Sequence, residues 1–307
     1  MLHKNNIIAI VILSTLLLGG CNWMSEVSPG NLNDNEEINT EDYYVPVQEY
    51  TGKEYTLPNG KETDRIANEN REEIEEAIKL FFKEEYKTEV KVHNIVGNVD
   101  GATVFVESIG KPHFYTYAMI PIDKKQEIIL TENIWTQEMV VEDAIITGLY
   151  GMAYKHEFDV LDKLLEKISN QYDITGKTNE AIKNSVGAGF STNFYFVQVA
   201  DDEPFKSILN DYLENKKMEP ENLKKLFSNS GMSSEALLIS IKMYMSTDEE
   251  PNKKAFEELV NAVKESNDIP RGAYSIIINK NEVIRTTGIS EGENSLEQSY
   301  PNDIIKD

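Results

Sequence analysis

The sequence predicts an α+β protein: an N-terminal helix packed on an antiparallel meander, followed by a helix-rich region with a C-terminal hairpin. Three observations lead there. Ile74, Ala77, Ile78, Phe81 and Phe82 recur at helical spacing. Three β-prone runs then follow between Glu89 and Ile120, separated by turn signals. From about Glu138 the apolar period is helical again, until two β-prone runs appear near the end.

The elements follow in order. Tyr43–Leu57 can hold a short strand, and Pro58-Asn59-Gly60 is a turn signal. Asp64 is a candidate cap for one long amphipathic helix with a Glu-rich outer face. Glu89–Val96 alternates through Val90 and Val92, Asp100-Gly101 marks a hairpin, and Ala102–Ser108 is β-rich. Gly110-Lys111-Pro112 makes the next turn, before "HFYTYAMI" at His113–Ile120. Phe158, Leu161, Leu164, Leu165 and Ile168 mark a second helix face, with Gly148 and Gly151 expected to break or bend the segment before it. Phe194–Val199 reads as a strand. Pro204, Pro220 and Pro251 each follow an acidic residue, as at helix starts. Ser233 or Ser234 is expected to cap a helix bearing Leu237, Ile241 and Tyr244 on one face. Tyr274–Ile278 and Val283–Thr287 read as a hairpin around "NKNE", and the tail from Glu291 as loose and polar. The expected organisation is a signal segment (1–20), a flexible tether (21–42), a helix-plus-meander domain (43–125), a helix-rich α+β domain (126–290) and a polar tail (291–307).

The chain starts with the basic Lys4, and Ile7–Leu18 is apolar except for Ser14 and Thr15. Twelve residues are too few to span a bilayer, which takes about 20. They suit the core of a secretory signal. Leu18-Gly19-Gly20-Cys21 resembles the bacterial lipobox. The resemblance implies that the Cys21 thiol receives a diacylglycerol, with palmitate as the acyl class, and that the chain is cut before it. Two acyl chains give stable anchoring where one gives only marginal binding. An ordinary cleaved signal and an uncleaved anchor are the competing readings. The expected location is the outer face of the cell membrane, with the membrane itself the first partner.

The chain has 53 acidic and 30 basic residues, a net charge of −23. Removing residues 1–20 takes away Lys4 alone and leaves −24. Such a balance argues against nucleic acid, which needs clustered Lys and Arg. It also disfavours electrostatic docking on anionic lipid. Cys21 is the only cysteine, so a lipidated chain has no disulfide, thiol nucleophile or thiolate metal site. Roughly 265 residues remain for the folded part, enough for one large or two smaller domains.

Candidate chemistry is sparse. His93 and His113 lie on neighbouring β-prone runs; with Glu107 or Asp100 they could serve acid–base chemistry or hold a metal. Alternation puts His93 on the face opposite Val92, and ordinary surface or turn histidines are the competing reading. His156-Glu157 opens like a zinc-protease motif, but Val160 stands where the second histidine belongs. Asn31, Asn33, Asn35 and Asp42 match calcium-loop positions, but Glu36 replaces the required glycine. "GAGFST" at 187–192 lacks a dinucleotide fingerprint's third glycine, and Gly176-Lys177-Thr178 lacks the first glycine of a phosphate loop. No metal and no cofactor are expected. Tyr115 and Tyr117 share a strand face opposite Phe114 and are candidates for a peptide- or glycan-binding strip; core on both faces is the competing reading.

"YKTEVKVHNIVGNVDGATVFVESIGKPHFYTYAMIPID" at 86–123, with "VQEYTGKEYTLPNGKET" at 47–63, resembles a family of Gram-positive bacterial lipoproteins known only as a domain of unknown function. The resemblance carries no activity and no site, and it agrees with a membrane anchor. The leading expectation is a non-enzymatic surface lipoprotein that binds an envelope protein or an extracellular partner. The first alternative is an envelope hydrolase using His113 or His156 with carboxylates. The second is a solute-binding lipoprotein, disfavoured because paired βαβ halves are not visible.

Overall fold

The computed structural model describes residues 43–291 and 294–307. The signal segment, Cys21, the tether and its Asn31–Asp42 pattern fall outside them. The described chain is a mixed α+β protein with helices and largely antiparallel sheets.

The first sheet runs β2 (Val90–Gly97), β3 (Gly101–Ser108), β4 (Tyr115–Asp123), β5 (Ile128–Ile129), each antiparallel to the next. The expected long helix is two, α1 (Lys61–Glu69) and α2 (Arg71–Glu85). Asn70 breaks it: its backbone leaves the helical region, and its amide donates to the Ile66 carbonyl at 2.8 Å. Ile66, Ala67, Ile74, Ile78 and Phe82 are fully buried in one core with Val92, Val104, Val106 and Ile120.

Asp64 is not the cap. It lies in the first turn of α1, where Oδ1 accepts from the Gly97 amide at 2.9 Å and ties helix to sheet. Gly60 holds the cap position. A Cβ on Gly60 would lie 1.9 Å from the Gly97 carbonyl oxygen, so the close approach of helix start and strand end requires glycine.

The second half is built on α3 (Val140–Ala153) and α4 (Lys155–Tyr172). Gly148 and Gly151 neither break nor bend the sequence into separate pieces; both lie inside α3. A Cβ on Gly148 would meet the His113 carbonyl oxygen at 2.9 Å and the Pro112 side chain at 3.1 Å. The glycine is there to admit the β3–β4 loop. After α4 come β6 (Ile174–Thr175), α5 (Asn179–Ser185), β7 (Tyr195–Val199), α6 (Lys206–Glu214) and α7 (Pro220–Asn229).

Leu237–Met245 is a strand, β8, and not the expected helix. The 237, 241, 244 spacing fits a helix, but Leu237, Ile239, Ile241, Met243 and Met245 are all buried at period two. The β-branched Ile239 and Ile241 favour the strand. From β8 the chain crosses through α8 (Lys253–Glu265) to β9 (Gly272–Asn279), which pairs with β8 in parallel. β6 and β7 pair antiparallel with β8.

The C-terminal hairpin does not form. β10 (Glu282–Ile284) leaves β9 and pairs with β1 (Tyr44–Pro46), Tyr44 opposite Ile284. The polar tail instead supplies β11 (Leu296–Gln298) and β12 (Ile304–Lys306), both antiparallel to β9. The apolar core runs without interruption from Ile66 to Ile304, across residues 125 and 126.

Candidate functional site

The site begins with an irregularity in a strand. Val92 pairs with Val106 and Ile95 with Val104, so His93 and Asn94 together oppose Phe105. A bulge of this kind re-aims side chains. Asn94 donates to the Asn184 carbonyl oxygen at 3.1 Å, beside α5. His93 Nε2 reaches Glu107 Oε2 at 2.7 Å.

His113 arrives from the β3–β4 loop. Its Nε2 lies 2.9 Å from Glu107 Oε1, so the single carboxylate joins both imidazoles. Lys183 of α5 brings its ammonium to 3.7 Å from Oε2. Tyr115, the partner of Glu107 across the strand pair, sets its ring edge-on to His113 at 5.1 Å. The cluster grades from inside to outside: the side chains of His93, Glu107 and His113 are 9%, 19% and 39% exposed.

Burial acts most strongly on Glu107 and would raise its pKa, but the bonds from His113 and His93 and the Lys183 charge outweigh it, and the carboxyl is held below 4.5. Burial dominates at His93 and lowers its pKa below 6.5, against the pull of Glu107. The Tyr115 phenol is pushed up to about 12, by burial first and by Glu107 second. At neutral pH the cluster is therefore a carboxylate accepting Nε2–H from a neutral His93 and from His113. In the neutral His93 ring Nδ1 is then the free acceptor. His113 is the member of the pair that solvent or a partner can reach. Among the described residues, no group of three or more His, Cys, Asp or Glu is placed to hold a metal ion.

The expected site residues are thus dispersed. His93, Glu107 and His113 come together. Asp100 stands elsewhere, 3.6 Å from Lys124. His156 is exposed in the first turn of α4 and is not part of the cluster. Tyr115 is 7% exposed; Tyr117 is half-buried, donating to Gln137 Oε1 at 2.6 Å with its ring against Phe105. Phe114 fills the core on the other face. The "GAGF" stretch bridges β4, with Gly189 and Tyr115 exchanging backbone hydrogen bonds of 2.9 and 3.0 Å. Lys183 was missed. It lies far along the chain from Glu107 in no recognisable motif, and only the docking of α5 brings it in.

The family profile described as "Protein of unknown function (DUF1672)" matches residues 37–306, and the chain belongs to this family. A crystal structure of a DUF1672 family protein from Staphylococcus aureus, a Gram-positive bacterium, has a similar fold, with a TM-score of 0.70 and 19% sequence identity. The likeness covers 86% of this chain and 98% of that one. No curated protein matches.

Proposed function

We propose that this family member is held to the outer face of the cell membrane by lipid on Cys21, and that it acts there by binding another envelope protein or an extracellular partner. The observation that carries the anchor is Leu18-Gly19-Gly20-Cys21 directly after a short apolar run. Among the described residues no helix is long and apolar enough to cross a membrane.

The binding reading draws on His113, partly exposed and held in one orientation by Glu107. Both Glu107 oxygens are taken up by imidazoles, and Lys183 neutralises what remains. A carboxylate so engaged orients the exposed His113 for recognition.

In cells, Cys21→Ser should abolish labelling by a fatty-acid probe and leave the protein uncut or released; unchanged labelling would refute the anchor. Crosslinking in cells should recover a partner attached through residues 43–307. A hydrolytic activity lost on His113→Gln would instead make the cluster an acid–base site.

A further inference from the structure

Glu107 and Ser108 are neighbours on β3. On the Ser108 side lies a cavity of about 190 Å³, between the chain entering β2, the β3–β4 loop and the C-terminal end of α6. Three of its lining residues are Lys87, Lys111 and Lys216, with Tyr212 beside them. Glu89 is the one acidic residue among the lining residues.

This grouping runs against the composition. Acidic residues outnumber basic ones by 53 to 30, and some lysines find carboxylates, as Lys53 does with Glu180, Lys155 with Asp159 and Lys280 with Glu250, although many others among the described residues do not. Among the described residues Lys87, Lys111 and Lys216 pair with none. Two of them are steered by backbone instead. Lys87 Nζ donates to the Glu84 carbonyl at 2.5 Å and Lys216 Nζ to the Tyr86 carbonyl at 2.9 Å. Lys216 also lies 3.9 Å over the Tyr212 ring. Each such ammonium keeps two further N–H donors.

Holding these cations together is unfavourable by itself. Burial, and next the Lys87 charge, push Lys216 down to about 8. Lys87 itself has a φ of +51°, a conformation that non-glycine residues seldom adopt. The hydroxyls of Thr88 and Ser108 are already committed to the Tyr86 and Pro112 carbonyls. The lining residues that remain as donors are therefore the three lysines and Tyr212, whose phenol is kept neutral, its pKa raised to about 12 by burial. The volume is below the range of about 300–1,000 Å³ typical of drug-sized ligands. It suits a small oxyanion.

We propose that the cavity lined by Lys87, Lys111, Lys216 and Tyr212 binds a phosphate group. Three lysines less Glu89 leave a formal surplus of two positive charges, which suits an anionic phosphate, with inorganic phosphate matching the charge more fully than a diester. Lysine recognises phosphate as a point charge and needs no planar fork. The phosphate could be free or borne by a lipid headgroup.

The test is calorimetric titration of the full-length protein with two probes, inorganic phosphate and glycerophosphoglycerol, the deacylated headgroup of phosphatidylglycerol. Saturable binding of either supports the site; the tighter probe names the source, inorganic phosphate a free anion and the diester a lipid headgroup. Lys87→Asn combined with Lys111→Gln should weaken binding at least tenfold. Both side chains are exposed, and asparagine tolerates the left-handed backbone of residue 87. Lys225→Gln, an exposed lysine of α7 outside the cavity, should change nothing. Failure of the wild type to bind either probe would overturn the proposal, as would equal affinities for the wild type and the double variant. Neither outcome depends on Cys21.

Discussion

Two sides of one strand end solve the same electrostatic problem in opposite ways. At Glu107 a partly buried anion is surrounded by donors, two imidazoles and an ammonium, and its charge is answered within the chain. Beside Ser108 three lysines line a cavity, none of them paired with a carboxylate among the described residues. A closed network stabilises the fold and sets the orientation of its members. An open one leaves interaction energy for a ligand. Both depend on the β3–β4 loop, which carries Lys111 to one and His113 to the other and which rests on Gly148 of α3.

The largest effect should come from opening the closed network. Glu107→Gln replaces the charged acceptor of two Nε2–H bonds by a neutral amide with a single oxygen, so at least one imidazole loses its acceptor or must change tautomer. The variant should lose about 2 kcal/mol of stability at neutral pH, measured by denaturant unfolding. An unfolding curve identical to wild type would mean that the network is not closed in solution.

A smaller effect should appear on acidification. His93 has its folded pKa below 6.5 and Glu107 below 4.5, so the unfolded chain binds more protons than the folded one. The stability they contribute is present at neutral pH. It is lost first as pH falls below 6.5 and then, for Glu107, below 4.5. Asp143 works the other way: burial, with Asp202 and Glu142 nearby, raises it to about 7, and its contribution is lost as pH rises through that value. The informative quantity is the difference between wild type and His93→Gln from about pH 7 down to about pH 5. The wild type should lose more stability over that interval than the variant, in which Asp143 is unchanged. Parallel profiles would show that His93 titrates normally.

The smallest effect belongs to Lys183→Ala. Its ammonium is 3.7 Å from Glu107 and its side chain is 38% exposed. Solvent screening should limit the loss to less than about 0.5 kcal/mol. A larger loss in the same unfolding assay would make Lys183 part of the closed network rather than its fringe.

The meander was legible because its signals are local. Asp100-Gly101 and Gly110-Lys111-Pro112 punctuate β-prone runs, and β2, β3 and β4 appear within a few residues of the expected bounds. His93, Glu107 and His113 could be nominated together for the same reason, since they sit on strands joined by short turns. The second sheet was not legible. Leu237–Met245 satisfies both periods, and parallel pairing with β9 through a helical crossover leaves no local mark. The tail strands β11 and β12 are three residues each, too short to show a pattern, and form only because β9 offers edges to pair with.

By itself the sequence determined the acidic surface, the candidate lipid attachment at Cys21, the family and the first sheet, all properties of composition or of neighbours along the chain. Tertiary structure decided that Leu237–Met245 is a strand and that Val283 pairs towards the N-terminus. It also brought Lys183 to Glu107 and Lys216 to Lys87 and Lys111. Those outcomes join residues far apart in the chain. The free energy that selects them is burial and charge compensation in three dimensions, which no short window of sequence contains.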